Sequence, residues 1–238
     1  MHETKLNVII TGATGMVGEG VAHECMLHPA VENILLVTRK RSGIVHPKVT
    51  ELLHNDFNDI SAVRGQLTNY NACYFCLGVS SVGKNEEEYK KVTYDVSMHV
   101  AGTLAELNPE MTFCYVSGSG TDSTVKGSLM WARVKGKTEN HLLALPFKHS
   151  FMFRPGYMQP TPGLRNSLKY YRYMTWLYPA LRKVFPGFVG SLRELGLAMI
   201  HVTLNGYSKR RIEVKDITNI AAAEAIRIAS VNTTRAEF

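Results

Sequence analysis

The sequence contains no apolar run long enough to cross a bilayer, and it contains few cysteines. The most apolar late stretch, Leu195 to Leu204, has about half the length that a membrane-spanning helix requires. No apolar segment follows a basic start at the N-terminus, so we expect no signal peptide. The four cysteines lie at scattered positions, which excludes a disulfide framework and predicts a reducing, cytoplasmic location.

Patterns that bind metal ions are also missing. The nine histidines are scattered and do not show the His-Glu-x-x-His spacing of zinc enzymes. Cys73 and Cys76 have a C-x-x-C spacing, but an odd offset along a strand places the two thiols on opposite faces. No second cysteine pair completes a zinc site. We therefore expect two small buried residues here and no metal site.

Length and composition allow a full hydrophobic core. With 238 residues, of which 45% are hydrophobic, the chain fits one α/β domain, or one domain with a small cap. The net charge of +7 is compatible with nucleic acid, an anionic membrane surface or anionic small molecules as partners. The cations form two local groups, Arg39–Arg41 and a set between Arg165 and Arg193.

Strand-like and helix-like segments alternate through the first two-thirds of the chain. The predicted strands are Leu6–Thr11, Asn33–Thr38, Val49–Leu53, Ala72–Leu77, Thr112–Ser117, His149–Arg154 and a short Arg211–Val214. The predicted helices are Val17–Leu27, Ile60–Leu67, Glu86–Leu107, Trp131–Leu145, Arg193–Leu204 and Ile217–Ala229. This alternation predicts an α/β fold with a Rossmann-type doubly wound parallel sheet, to which residues 157–238 add a small helical C-terminal cap.

The turn between the first strand and the first helix is the most informative feature of the sequence. Gly12 allows the tight turn, Gly15 lets the backbone approach a pyrophosphate, and Gly18 lets the helix pack closely on the strand. A pyrophosphate there would lie at the positive end of the helix dipole. We therefore prefer dinucleotide binding to a merely structural turn. The expected cofactor contacts in this turn are Gly12, Thr14, Gly15, Met16, Val17 and Gly18.

A basic cluster follows the second predicted strand. Arg39 and Lys40 come about 20 residues after the glycine turn, where an acid normally binds a free ribose 2′-hydroxyl and a cation accommodates a 2′-phosphate. No acid is present there, and arginine offers a planar fork suited to phosphate. The sequence favours NADP over NAD, with a solvated basic loop as the alternative.

Two further pairs of residues follow strands of the predicted parallel sheet. Asp56 and Phe57 come after the third strand, where an acid and a ring can flank an adenine. Leu77 and Gly78 close the fourth strand, where a glycine lets the backbone approach the cofactor ribose. Because open α/β sheets bind ligands at the carboxyl ends of their strands, we include all four in the expected cofactor site.

Several motifs, taken in chain order, resemble those of short-chain dehydrogenase/reductases, in their extended and atypical branches. They are the glycine turn, Asp56-Phe57, Leu77-Gly78, Ser117-Gly118-Ser119, Arg133-Val134-Lys135-Gly136-Lys137, Arg154-Pro155-Gly156 and Val214-Lys215-Asp216-Ile217. The chain is most similar to bacterial NAD(P)-binding proteins of the nucleoside-diphosphate-sugar epimerase-like type.

The resemblance implies roles for individual residues. Ser119 matches the serine that orients a substrate carbonyl or hydroxyl, and Lys135 matches the lysine that holds the nicotinamide ribose. Ser117 and Pro155 join the expected cofactor contacts. The family often dimerises through the two long helices that correspond here to Glu86–Leu107 and Trp131–Leu145, so the chain is expected to be a monomer or a homodimer.

One position departs from the family pattern. The catalytic tyrosine should stand four residues before Lys135, and Trp131 occupies that place. Indole is a hydrogen-bond donor only and cannot cycle a proton near neutral pH. Either another group supplies the proton, or the protein binds the cofactor without turnover. Tyr157, just after the Arg-Pro-Gly turn, is the replacement candidate, and its alternative role is an aromatic wall of the pocket.

The segment 168–189 interleaves aromatic and basic residues. Such a segment can stack bases or lie at a membrane interface, but a core face with solvated cations is the commoner outcome. The resemblance places it over the substrate pocket as a lid or wall. Tyr173, Trp176 and Leu177 share a face at helical spacing, which predicts burial of that face.

The sequence thus favours an NADP-binding oxidoreductase or epimerase that acts on an unknown small molecule. We expect no nucleic-acid partner and no transmembrane segment. The alternative is a non-catalytic NADP(H) sensor, and a weaker third hypothesis is a peripheral membrane or nucleic-acid binder.

Overall fold

A seven-stranded parallel sheet forms the centre of the molecule in the computed structural model, which describes residues 5–166 and 175–236. Its strands are β1 (Leu6–Thr11), β2 (Val31–Thr38), β3 (Val49–Leu53), β4 (Ala72–Phe75), β5 (Thr112–Val116), β6 (His149–Arg154) and β9 (Arg211–Glu213). Two short strands, β7 (Tyr157–Gln159) and β8 (Val189–Ser191), pair in parallel as a separate sheet. The large sheet has the order β3-β2-β1-β4-β5-β6-β9.

Helices connect these strands. They are α1 (Met16–Leu27), α2 (Glu86–Lys90), α3 (Val96–Leu107), α4 (Met130–Leu142), α5 (Tyr178–Val184), α6 (Leu192–Asn205) and α7 (Val214–Ala236). A π-helical turn, Lys91–Asp95, joins α2 to α3, and 3-10 helices span Ser61–Leu67 and Thr175–Leu177. The single long helix expected over Glu86–Leu107 is therefore interrupted by that π turn.

Both faces of the sheet are covered, which explains the nearly continuous apolar composition of its central strands. On β1, Val8 and Ile10 pack into one core with residues of α1 and α6, whereas Ile9 points to the other face and packs with residues of α3. Alternate residues of a strand face opposite sides, so both faces of β1 need apolar side chains. The predicted doubly wound α/β fold is confirmed.

Two elements of the expected C-terminal cap, β9 and α6, pack directly on the central sheet and its helices. β9 extends the sheet beside β6, and α6 packs closely on α1, where a Cβ on Gly196 would lie 2.7 Å from side-chain atoms of Glu24. The small β7–β8 sheet, by contrast, was not predicted. Three-residue strands are too short to show a two-residue periodicity in the sequence.

The expected burial of the aromatic face in segment 168–189 is wrong for Trp176, which is largely exposed. The short helix that carries Trp176 leads into α5, in which no residue is buried. Tyr173 lies outside the described residues. Cys73 is fully buried and Cys76 partly buried, as expected for two small residues of a strand end.

A buried carboxylate ties three helical segments together on the face covered by α1, α6 and α7. Glu224 is fully buried and accepts hydrogen bonds from His28 Nε2 at 2.9 Å, His201 Nδ1 at 2.7 Å and Arg227 Nη2 at 2.7 Å. Burial alone would raise the pKa of Glu224, but these hydrogen bonds hold it well below its usual range. The charged form of Glu224 therefore stabilises the fold.

Glu224→Gln should lower the free energy of unfolding at pH 7 by about 3 kcal/mol, because His28, His201 and Arg227 lose their charged partner. A depressed carboxyl pKa stabilises the fold above the unfolded pKa and ceases to do so as pH falls through the folded pKa. The difference from wild type should therefore shrink below about pH 4. Urea unfolding at several pH values measures it. Glu106→Gln, at an exposed ion pair with Arg64, is the control, and equal effects of the two variants would contradict the prediction.

Candidate functional site

The glycine turn after β1 is shaped by two close backbone contacts. Gly12 has a φ of +74°, and a Cβ there would lie 2.7 Å from the carbonyl oxygen of Cys76 at the end of β4. A Cβ on Gly18 would lie 2.3 Å from the carbonyl oxygen of Gly12. Neither position can carry a side chain unless the backbone moves. The two glycines hold the start of α1 directly against the carboxyl edge of the sheet.

The start of α1 leaves an open cradle beside that edge. Gly15 is the N-cap residue and supplies no side-chain hydrogen bond to the helix, so the first N–H groups of α1 keep no intrahelical partner. Thr14 and Gly15 are exposed, and Met16 and Val17 are partly exposed. Free N–H groups at the positive end of a helix dipole suit a phosphate. The residues predicted to bind a pyrophosphate thus fit one.

A cleft of about 150 Å³ adjoins the carboxyl ends of β2, β3 and β4. Four residues selected from the sequence line it together: Arg39, Asp56, Phe57 and Leu77. The Phe57 ring, however, is 5% exposed and belongs mainly to the hydrophobic core. Lys40 and Gly78 are exposed, and a Cβ on Gly78 would meet no atom within 4 Å. Gly78 is therefore not needed for backbone packing.

Lys135 lies on α4 and reaches back to the end of β5, where its Nζ donates a hydrogen bond to the carbonyl oxygen of Ser117. Burial lowers the pKa of Lys135 to about 8, and the nearby Glu139 carboxylate opposes this shift. The ammonium therefore titrates within the range of ordinary enzyme assays.

The Ser117 hydroxyl does not face the cleft. Its Oγ donates to Glu139 Oε1 at 2.6 Å in a buried position, and only its carbonyl oxygen contacts Lys135. Ser117 continues the buried pattern of the strand and points into the protein.

The ion pair between Glu139 and Arg154, next to Lys135, was not predicted from the sequence. Glu139 is fully buried on α4, one turn after Lys135, and accepts hydrogen bonds from Arg154 Nε at 2.9 Å and Nη2 at 2.5 Å. Arg154 also pairs with Glu213 of β9 at 3.1 Å. The i, i+4 spacing of Lys135 and Glu139 was the available signal, but Arg154 is distant in sequence.

Trp131 lies in the first turn of α4, one turn before Lys135. Its indole ring borders the β5–α4 loop, where a Cβ on Gly120 would lie 3.4 Å from the ring. The structure thus places an indole on the Lys135 face of the helix, where the family pattern expects a phenol.

Ser119 and Pro155 meet through the backbone. The N–H of Ser119 donates to the carbonyl oxygen of Pro155 at 2.8 Å, which joins the loops after β5 and β6. Within residues 5–166 and 175–236, the Ser119 hydroxyl has no protein partner and is partly exposed. It is free to bind a substrate oxygen.

Tyr157 opens β7, immediately after β6. Its N–H donates to the carbonyl oxygen of Phe188, and its hydroxyl donates to Gln159 Oε1 at 3.2 Å. The phenol is partly exposed. Ser119, Lys135 and Tyr157 therefore follow or adjoin two neighbouring strands, β5 and β6.

Neither a metal centre nor a membrane span is found in the described part of the chain. No group of three histidine, cysteine, aspartate or glutamate side chains there is arranged to hold a metal ion. Among the same residues, no helix combines the length and apolar character that a bilayer span requires.

Comparison with known proteins finds a family model that matches the first half of the chain. Residues 8–125 match the model of the NAD dependent epimerase/dehydratase family. Among solved structures, the Bordetella bronchiseptica enzyme WbmF in complex with NAD+ has a TM-score of 0.62 at 12% identity, over 94% of this chain and 78% of WbmF. Helicobacter pylori ADP-L-glycero-D-manno-heptose-6-epimerase gives 0.61 at 14% identity, over 92% and 82%. The resemblance to extended short-chain dehydrogenase/reductases is confirmed.

The names of the curated relatives do not specify a substrate. The mitochondrial protein FMP52 of Saccharomyces cerevisiae is 25% identical over 92% of this chain and 97% of its own length. The mitochondrial protein fmp52 of Emericella nidulans is 27% identical over 63% of this chain and 66% of its own length. These names contradict the predicted cytoplasmic location. Free cysteines indicate a reducing compartment but do not say which one, so the inference from cysteine usage was too narrow.

Above about pH 8 Lys135 loses its charge, so a hydrogen bond from its Nζ to a cofactor ribose hydroxyl would weaken. The affinity for NADPH should therefore fall about fivefold between pH 7 and pH 9.5. Because Glu139 favours the charged lysine, Glu139→Gln should shift this fall to lower pH, and Lys135→Met should bind weakly at every pH. Calorimetric titration measures these affinities, with exposed Glu110→Gln as the control. The same pH profile in wild type and Lys135→Met would contradict the assignment.

Proposed function

We propose that this chain, whose first half matches the NAD dependent epimerase/dehydratase family, is an NADP-dependent oxidoreductase or epimerase that acts on a small molecule. One observation carries the proposal. An open glycine cradle, a cleft lined by Arg39 and Asp56, and the pair Ser119 and Lys135 lie along the same carboxyl edge of one parallel sheet. Ligands of open α/β sheets bind at this edge.

The residues of that edge suggest how a dinucleotide would lie. The backbone of the glycine turn would hold the pyrophosphate, and the cleft lined by Arg39, Asp56 and Leu77 would take the adenosine end. Lys135 would hold the ribose at the opposite end, near β5. The bound nicotinamide would supply hydride exchange. Side chains of this chain would polarise the substrate, orient the ribose and transfer the proton.

Three side chains would divide that chemistry. The free hydroxyl of Ser119 would donate a hydrogen bond to a substrate oxygen and polarise it. Lys135, fixed by the Ser117 carbonyl, would orient the ribose. Trp131 cannot exchange a proton, so the hydroxyl of Tyr157 is the proposed general acid or base. Residues 157–238, which include Tyr157 and the β7–β8 sheet, would form the substrate side.

Arg39 supports a preference for NADP over NAD. It lines the cleft, and neither Arg39 nor the adjacent Lys40 forms an ion pair within the described residues. Asp56 lines the same cleft, but its Oδ1 already accepts hydrogen bonds from the backbone and side chain of Asn58. Arg39 is therefore the group available to a 2′-phosphate.

Arg39→Ala should weaken NADPH binding by about 10- to 100-fold, because it removes a charge-assisted phosphate contact, and should change NADH binding little. Calorimetry at moderate salt measures both affinities. Arg41→Ala, in the same exposed loop but outside the cleft lining, is the matched control. Equal losses for NADPH and NADH in Arg39→Ala would show that the charge acts only as a general attractor.

The alternative function is a non-catalytic NADP(H) sensor, and Trp131 is the observation that favours it. The indole occupies the place of the proton donor while the rest of the constellation, Ser119 and Lys135, is retained. A protein that had lost turnover but kept cofactor binding would show this combination.

Substitutions at Trp131 and Tyr157 separate enzyme from sensor. In a screen of NADPH oxidation with small carbonyl compounds, turnover should survive Trp131→Phe and fall about 10²- to 10⁴-fold in Tyr157→Phe. Tyr94→Phe, whose hydroxyl contacts His141 away from this edge, is the control. If wild type binds NADPH tightly but oxidises it with none of the carbonyl compounds, the sensor function is favoured. Carbonyl reduction gained only in Trp131→Tyr would identify a protein that has lost catalysis.

A further inference from the structure

Positive charge is concentrated in one segment of the chain. Between Asn140 and Arg193 the sequence has eight lysines and arginines and no aspartate or glutamate. The whole chain has 27 basic and 20 acidic residues, so the remainder has 19 basic against 20 acidic residues. The net charge of +7 thus comes entirely from this segment. Lys148, Arg154 and Arg182 pair with acids outside the segment, so only its other cations can attract an anionic surface.

Four large apolar side chains of the same segment project into solvent. Trp176 is 76% exposed, Val184 66%, Phe185 56% and Phe188 53%. They lie on the 3-10 helix before α5, at the end of α5 and in the turn that leads to β8, and we call these four residues the aromatic tip. Several exposed apolar groups within so short a segment mark an interaction surface.

Backbone hydrogen bonds order the end of the aromatic tip. The N–H of Phe185 donates to the carbonyl oxygen of Leu181 at 2.7 Å, and the N–H of Phe188 donates to that of Phe185 at 3.0 Å. Directly after Phe188 the chain enters β8, where Val189 is buried. The rings of Phe185 and Phe188 are thus exposed from a folded turn.

Cations accompany the aromatic tip. Lys183 lies in the last turn of α5, and Lys215 lies beside Gly187, where a Cβ would be 3.4 Å from Lys215 Cε. Both side chains are exposed, and neither forms an ion pair with another described residue. Arg182, by contrast, is held by Glu194 at 2.9 Å. Lys183 and Lys215 are therefore available to an external anion.

We propose that the aromatic tip docks on the surface of an anionic lipid membrane. Trp and Phe rings enter the boundary between headgroups and acyl chains, and Lys183 and Lys215 contact lipid phosphates. Charge complementarity favours a lipid surface, because the tip combines exposed apolar side chains with Lys183 and Lys215, which form no ion pair within the described residues. A projecting turn also suits insertion into lipid. This docking does not depend on the reaction proposed above.

Vesicle co-sedimentation tests the proposal. Wild type should sediment with vesicles of equimolar phosphatidylcholine and phosphatidylserine and stay in solution with phosphatidylcholine alone. Trp176→Ser with Phe185→Ser should reduce the partition coefficient about tenfold or more, since the apolar contact is lost. Lys183→Glu should reduce it about fivefold or more. Leu27→Ser, at an apolar residue that is 66% exposed on α1, and Lys91→Glu, at a lysine 65% exposed, should change it little.

Fluorescence gives a second measurement. In a Trp131→Phe background Trp176 is the only tryptophan, and its emission should shift to shorter wavelength with the anionic vesicles. Circular dichroism checks that each variant is folded. No vesicle binding, or binding that the tip variants leave intact, would overturn the proposal. So would a tip variant that instead turns a dimer into a monomer, or a wild type that binds single-stranded oligonucleotides but no vesicles.

Discussion

The close approach of α1 to the turn after β1 is the constraint on which the candidate site depends. A side chain on Gly18 would lie 2.3 Å from the Gly12 carbonyl oxygen, and one on Gly12 would collide with the end of β4. Because both residues lack a Cβ, the positive end of α1 lies at the carboxyl edge of the sheet. The cleft beside β2, β3 and β4 and the residues after β5 and β6 open at that same edge, so one extended ligand can contact them all.

A second interaction holds the other end of this edge. Glu139 is buried beneath Lys135, receives the Ser117 hydroxyl and binds Arg154 of β6. It links α4 to both strands from which the proposed catalytic residues follow. This arrangement lets Lys135 keep its place even though burial makes its charge less favourable.

The sequence predicted the features that depend on neighbouring residues. The glycine turn, the alternation of strands and helices and the i, i+4 placement of Trp131 and Lys135 are local patterns, and the structure shows each of them. Features that depend on distant residues were missed or misjudged. Arg154 reaches Glu139 only because β6 lies beside β5, and β7 pairs with β8, which lies about 30 residues later in the chain. The exposure of Trp176 likewise depends on what α5 packs against, which periodicity cannot report.

The most direct test of the account is the binding of NADPH to wild type and to Gly15→Val. A Cβ on Gly15 would lie 3.4 Å from the Gly12 carbonyl oxygen, an ordinary contact at a backbone conformation that any residue adopts, so the variant should fold. Its branched side chain would nevertheless fill the cradle at the start of α1. We expect one bound NADPH per wild-type chain and none in Gly15→Val, with unchanged circular dichroism. Equal affinity in both proteins would contradict it.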